Sequence, residues 1–339
     1  MFKKILWITD IHFGRSSNSS ISNQDNLDFL QWAIDRSKSW GADTLIYGGD
    51  WHDCRHALGV STIHYSLQGL DLINNSFKNI FFIPGNHDLL YKDRRDVASI
   101  EFAKYQENIK IIRQPTTIDD ITLLPWLVGD EVKSVKHIKS KYVFAHLEIP
   151  GFMMNAKVEL PDAPHLAKVE DFKNVGKVFT GHFHMRQEIG RVLYTGNTMP
   201  FTFSDANDDQ RGLMLLEYGH EPIFESWKEQ PLFSVAKLTD IMNDTDNLLK
   251  PKMTMKAYVD FPLTQEEKQE LKDALVSTYS LRKMEIIDIK EEVNEQFQTP
   301  VVFQTVDQMV QDGLQSIQST SIKPAKLLDI YLNKIIQGP

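Results

Sequence analysis

Cysteine is nearly absent: Cys54 stands alone among 339 residues. No intrachain disulfide can form, no set of thiolates can hold a structural zinc ion, and a reducing compartment suits the chain. Cys54 lies beside one of the polar clusters described below, where a small packed residue is expected rather than a nucleophile. Long apolar runs are missing too. None approaches the roughly 20 residues that cross a bilayer. The apolar run in the opening MFKKILWITD stops at Thr9, short of the about 7–15-residue core of a secretion signal. A cytoplasmic protein without membrane association is expected. Positive charge is also in deficit, because 37 Lys and Arg against 46 Asp and Glu leave a net charge of −9. That balance argues against a nucleic-acid binder with a broad basic surface. It does not exclude a metalloenzyme, since bound divalent ions invert the local potential of a carboxylate-lined pocket. A partner subunit could also supply the basic surface.

What is present fits a folded chain, with 42% apolar residues and mixed surface charge. KKILWI at 3–8, TLIY at 44–47 and IFFI at 80–83 read as buried strands, each running into a polar cluster. Helical spacing between them, at about 25–40 and 62–76, completes an α/β layer pattern. Ligand groups in such sheets gather at the carboxyl ends of strands. Further strands are expected at 109–112, 121–124, 142–145, 177–180, 191–195 and 213–217. Residues 147–176, with Pro150, Pro161 and Pro164, read as a long connection with at most short helix. A boundary falls near 225–250. Beyond it, Met253, Met255, Ala257, Val259 and Phe261 alternate as a half-buried strand. Thr264 and Glu267 form a capping-box pair that opens a helix, and MEIIDI at 284–289 gives another strand. Helical spacing returns at 302–317 and from Pro324 to 336. Those last helices either dock on their own chain or lie in a partner's groove.

Five polar clusters follow predicted strands: Asp10-Ile11-His12, Gly49-Asp50-Trp51-His52-Asp53, Gly85-Asn86-His87-Asp88, His146, and Gly181-His182-Phe183-His184. Residues i and i+2 of a strand share a face, so Asp10 with His12, and His182 with His184, can reach inward together. Carboxylate, amide oxygen and imidazole suit divalent manganese, iron or zinc. Two ions about 3.5–4 Å apart need a bridging carboxylate, and Asp50, after Gly48-Gly49, is the best placed. His87 is the best histidine outside the ligand set, able to donate a hydrogen bond to a phosphate or to protonate a leaving oxygen. Asp88 would then fix the His87 ring. One D-x-H or one G-N-H-D is weak alone; five in order are not. Isolated histidines such as His64, His137, His165 and His220 read as ordinary surface or packing. Trp7, Trp32, Trp126 and Phe179 read as core rather than as platforms for stacked bases.

With these motifs the chain resembles the calcineurin-like metallophosphoesterases. More closely it resembles the SbcD-type nucleases of double-strand-break repair, in the form carried by tailed bacteriophages. The resemblance covers about 1–230 and extends more loosely to the end. It implies a two-sheet sandwich flanked by helices, with a small β-α-β capping domain and C-terminal helices. The divisions would be a nuclease domain at 1–230, a DNA-capping domain at 250–295 and partner-binding helices at 300–339. By the same resemblance Asp10, His12, Asp50 and His184 would hold one manganese ion, and Asp50, Asn86, His146 and His182 the other, with magnesium as a substitute. His87 would be the catalytic histidine. Implied too are 3′-to-5′ exonuclease action on duplex DNA and endonuclease action on single strands. The implied partners are a second copy of the chain and an SMC-like coiled-coil ATPase. The setting would be recombination, repair and replication in a host cell's cytoplasm. Some relatives from cells carry a histidine where Asp53 stands; His52 or His56 is then the candidate to move the scissile phosphate. A different class of reading is a phosphodiesterase or phosphoprotein phosphatase acting on a non-DNA substrate, which the acidity favours. A scaffold with a dead site is the third, and the complete ligand set argues against it.

Overall fold

The computed structural model describes residues 2–155 and 158–288. Two six-stranded sheets dominate it. The first orders its strands Ile223–Ser226, Gly212–Glu217, Lys4–Ile8, Thr44–Tyr47, Asn79–Phe82, Ile109–Ile111. Its last four strands run parallel to one another. The second orders Gln187–Ile189, Val192–Tyr194, Lys177–Gly181, Tyr142–His146, Ile121–Leu124, Thr116–Ile118. Its four central strands are again parallel.

Side-chain alternation explains the layering. In the first strand, Ile5 and Trp7 pack with Ile46, Phe81, Phe144 and Phe179, which come from both sheets. Leu6 and Ile8 point the other way, into a cluster with Phe29, Leu30 and Ile34 of the helix Ser20–Trp40 and Leu70 and Ile73 of the helix Val60–Asn74. The second sheet's outer face, through Val143, Ala145 and Val178, is covered by Ile149, Phe152 and Phe172. Strands buried on both faces must be apolar throughout, which is why the runs carry no polar alternation. Each fully buried Ile, Leu or Phe contributes about 1.5–3 kcal/mol.

The sandwich expected from the resemblance is therefore the observed architecture. Strands at 44–47 and 121–124 fall where the sequence places them, and the one expected at 142–145 runs on to His146. The first long helix begins at Ser20, earlier than expected, with the Ser19 side chain accepting from the Ser22 N–H. The connection 147–176 holds a short 3₁₀ turn, Val169–Phe172, and both strands, Met153–Asn155 and Val158–Glu159, of a two-stranded ribbon. Beyond the sandwich, Phe233–Lys237, Thr254–Val259 and Lys283–Asp288 form a small parallel sheet. The helix Gln265–Tyr279 connects its last two strands, and Thr264 and Glu267 cap that helix reciprocally as read from the sequence. The strand at 233–237 joins this sheet from outside the expected 250–295 span. The boundary region expected near 225–250 carries the short helices Leu238–Asn243 and Thr245–Leu248. The helices expected at 302–317 and 324–336, and the end of the expected capping domain, lie outside the described residues. No helix among the described residues is long and apolar enough to cross a membrane.

Candidate metal centre

The strands stop just before the polar clusters begin. Lys4–Ile8 ends two residues before Asp10, and Lys177–Gly181 ends one before His182. Asp10, His12, Asp50 and His182 all adopt positive φ, at 56°, 52°, 56° and 93°. Side chains reach inward from turns, so strand alternation is not what brings Asp10 and His12 together. Left-handed backbone at such residues costs on the order of 1–3 kcal/mol each and persists only where the surroundings over-determine it. Here they do. Backbone N–H groups of Asp10, His12 and Phe13 donate to the carbonyls of Gly49, Asp50 and Trp51 at 2.9, 3.1 and 2.8 Å. The glycines serve two purposes. Gly49 itself takes φ 100°. Gly85 is needed for space, since a Cβ there would sit 2.2 Å from Asp50 Oδ1.

The side chains gather into two adjoining sets. One is Asp10, His12 and His184; the other is Asp50, His146 and His182. Asp50 Oδ2 lies 3.7 Å from His12 Nε2 and 3.4 Å from His146 Nε2, so a single oxygen faces both sets. Asn86 Oδ1 is 3.1 Å from His146 Nε2 and 2.9 Å from His182 Nδ1. All seven residues singled out from the sequence as metal ligands thus converge, and His182 and His184 divide between the sets.

Groups behind these side chains aim them. His146 Nδ1 is 2.7 Å from the Gly48 carbonyl. Asp53 Oδ1 stands 3.2 Å from His12 Nδ1, which turns Nε2 toward Asp10 and Asp50. Thr9 donates its hydroxyl to Asp10 Oδ2 at 2.6 Å, and Arg211 donates to the His184 carbonyl at 3.1 Å. Phe201 packs edge-on against both His12 and His184, with the Arg15 guanidinium over its ring. Of these, only Asp53 and Gly48 had been singled out in the sequence, each for a different reason.

Four expectations need correction. Asp88 does not orient the His87 ring. Its buried carboxylate instead accepts the backbone N–H groups of Asp50, Trp51, His52 and Gly85, tying two clusters to each other. The His87 ring is set by the Asp53 carbonyl, 2.5 Å from Nδ1, and its backbone N–H donates to Asp50 Oδ1 at 2.8 Å. His52 cannot stand in for a phosphate-moving histidine, because it is wholly buried between Ser99 and Ser66. Trp126 is not core: it is half-buried, with its ring centroid 5.2 Å from that of His182. Cys54 is exposed rather than packed.

Electrostatics follow from burial among carboxylates. Burial pulls His146 down, but Asp50 and Asp10 outweigh it and push it up to about 9. His12 likewise rises against burial, through Asp53, Asp50 and Asp10. Burial, then the His146 charge, lowers His182 to about 3. Burial followed by the Asp50 charge raises Asp88 to about 7, against the N–H groups it accepts. Asp50 moves down, its burial overcome by His146 and His12.

His12 Nε2 is buried and has no hydrogen-bond partner. An orphaned imidazole nitrogen facing two carboxylates is the condition a divalent ion satisfies, so the donor sets fit metal. A cation must displace the proton that His146 holds below about pH 9. Manganese affinity should therefore weaken as pH falls from 8.5 to 6.5, about tenfold per unit for each proton displaced. Titration calorimetry in two buffers of different ionisation enthalpy would report the released proton; a flat affinity would contradict this electrostatic picture.

The sequence profile of the calcineurin-like phosphoesterases matches residues 3–186. Exonuclease subunit 1 of Enterobacteria phage T4 is 29% identical over 223 residues, which is 63% of this chain. The chain spans 64% of that relative's length. Among solved structures, a dimetal phosphatase from Danio rerio aligns with 66% of this chain and 95% of its own, at 11% identity and TM-score 0.40. A nuclease from Pseudomonas putida aligns with 53% of this chain and 61% of its own, at 17% identity and TM-score 0.29.

Proposed function

Because the chain belongs to the calcineurin-like phosphoesterases, we propose that its paired metal centre hydrolyses DNA phosphodiesters as the nuclease subunit of a recombination and repair complex. The observation that carries this reading is the likeness, over 223 residues, to a phage protein named as an exonuclease subunit. The word subunit supports a partner, which we take to be an SMC-like ATPase gripped by residues 300–339. We take 1–230 as the nuclease domain and 250–295 as a cap over DNA, with two copies of the chain acting together in the cytoplasm. The action is 3′-to-5′ on duplex DNA and endonucleolytic on single strands.

In this reading Asp10, His12, Asp50 and His184 hold one manganese or magnesium ion, and Asp50, Asn86, His146 and His182 hold the other. Such ions polarise the phosphate and lower the pKa of a bound water. Asp50 presents one oxygen to both sets and keeps the other on the His87 N–H. With Nδ1 committed to the Asp53 carbonyl, His87 has Nε2 left to protonate the departing oxygen. Asp53, Thr9 and the Gly48 carbonyl keep the ligands turned inward.

Linear duplex DNA, single-stranded DNA, a cyclic nucleotide and a phosphopeptide, each with manganese, separate the substrates. Shortening of DNA from its 3′ ends is expected. Turnover of the nucleotide or peptide with intact DNA would replace this reading with the small-substrate one, which the net charge of −9 favours.

A further inference from the structure

Beside Asn86, His146 and His182 the metal pocket opens into a side cavity of about 490 Å³, within the size range of small-molecule sites. One wall is Trp126, whose ring centroid lies 5.2 Å from His182 and 6.1 Å from His146. Leu127, Val128 and Leu166 extend that wall with apolar surface, and Arg55 and Lys92 add cations to the lining. Asp93 and Glu148 also line it, so the lining carries both signs of charge.

The main chain at Trp126 is held in place. Its backbone N–H donates to the Pro84 carbonyl at 2.9 Å. Its own carbonyl accepts from Arg95 at 2.6 Å, and Arg95 is fixed by Glu131. A half-buried indole beside these histidines leaves part of its apolar ring surface in water and without packing. A flat aromatic ligand would supply that packing. A lining that joins aromatic and apolar surface with cations matches a nucleotide: a base with a π-face attached to a phosphate.

Resting on the DNA reading above, we propose that Trp126 is the platform on which a base next to the scissile phosphate stacks, while Arg55 and Lys92 hold the neighbouring phosphate. Stacking needs no hydrogen-bond code, so the subsite tolerates any base. The pocket would then set where along a strand the cut falls, by locating one nucleotide relative to the metal centre.

The test compares oligonucleotides bearing a normal base with ones carrying an abasic residue on one or the other side of the terminal phosphodiester. Wild-type protein should prefer the base-bearing strand in kcat/KM by about 10–100-fold at one of the two positions. That preference should collapse toward one in W126A and survive in W126F. Metal content, measured alongside, separates stacking from damage to His182. If W126A slows both strands equally and keeps the preference, Trp126 merely shapes the metal centre and the proposal falls. A wild-type enzyme that cuts DNA without preferring either strand overturns it as well. If no DNA is cut while bis-p-nitrophenyl phosphate is hydrolysed, the DNA reading fails first and takes this proposal with it.

Discussion

Asp50→Asn should lower kcat/KM by roughly 10⁴-fold or more, with metal stoichiometry dropping from two ions to at most one. The reason is geometric. Asp50 Oδ2 is within 3.7 Å of a nitrogen of each histidine set, while Oδ1 accepts the His87 N–H. A carboxylate can serve all three because both its oxygens are acceptors. An amide has one acceptor and one donor, so it must abandon either the shared position or the His87 backbone. Loss of the charge also matters. Asp50 is the leading group that holds His146 up near 9 against burial, so the variant's His146 should titrate lower. Elemental analysis, turnover and an NMR titration of His146 would report the three consequences. Two ions retained with near-normal turnover would show that the shared oxygen is incidental.

His87→Ala should instead cost about 10²–10⁴-fold in kcat with both ions still bound. This variant decides between two roles the geometry offers His87. With His12 and Asp53 it forms a third cluster capable of holding an ion. Yet His12 turns Nδ1 to Asp53 and Nε2 to Asp10 and Asp50, and His87 Nδ1 is already engaged by the Asp53 carbonyl. Both groups are thus better arranged to orient one another than to bind a further cation. An ion lost from the variant would make His87 a ligand. If it is a proton donor, the defect should shrink on bis-p-nitrophenyl phosphate, whose leaving group departs without a proton. An equal defect on that ester and on DNA would remove the proton-donor role.

Much of the fold was readable because its signals are local. KILWI, TLIY and YVFAH carry runs of consecutive apolar residues with no polar alternation, as parallel strands between two covered faces do. The Thr264–Glu267 capping pair is a spacing of three within one turn. What escaped was weaker in pattern. FSVAK at 233–237 is half-buried at most positions and lies at the edge of the small sheet, so no run of apolar residues marks it. Gln187–Ile189 and Thr116–Ile118, three residues each, lie at the two edges of the second sheet for the same reason.

The order and kind of the candidate metal ligands were legible in the chain itself. Carboxylate, amide and imidazole donors directly after buried strands leave little other chemistry, and strand ends in a parallel sheet meet on one rim. The supporting contacts were decided only by tertiary structure. Asp88 reaches back across 36 to 38 residues to the backbone of Asp50, Trp51 and His52. Asp53 stands behind His12, and Trp126 turns toward His182. Such pairings depend on how strands of one sheet lie beside each other and on turns with positive φ. Neither leaves a periodic trace in sequence, because each joins residues whose neighbours along the chain belong to different elements.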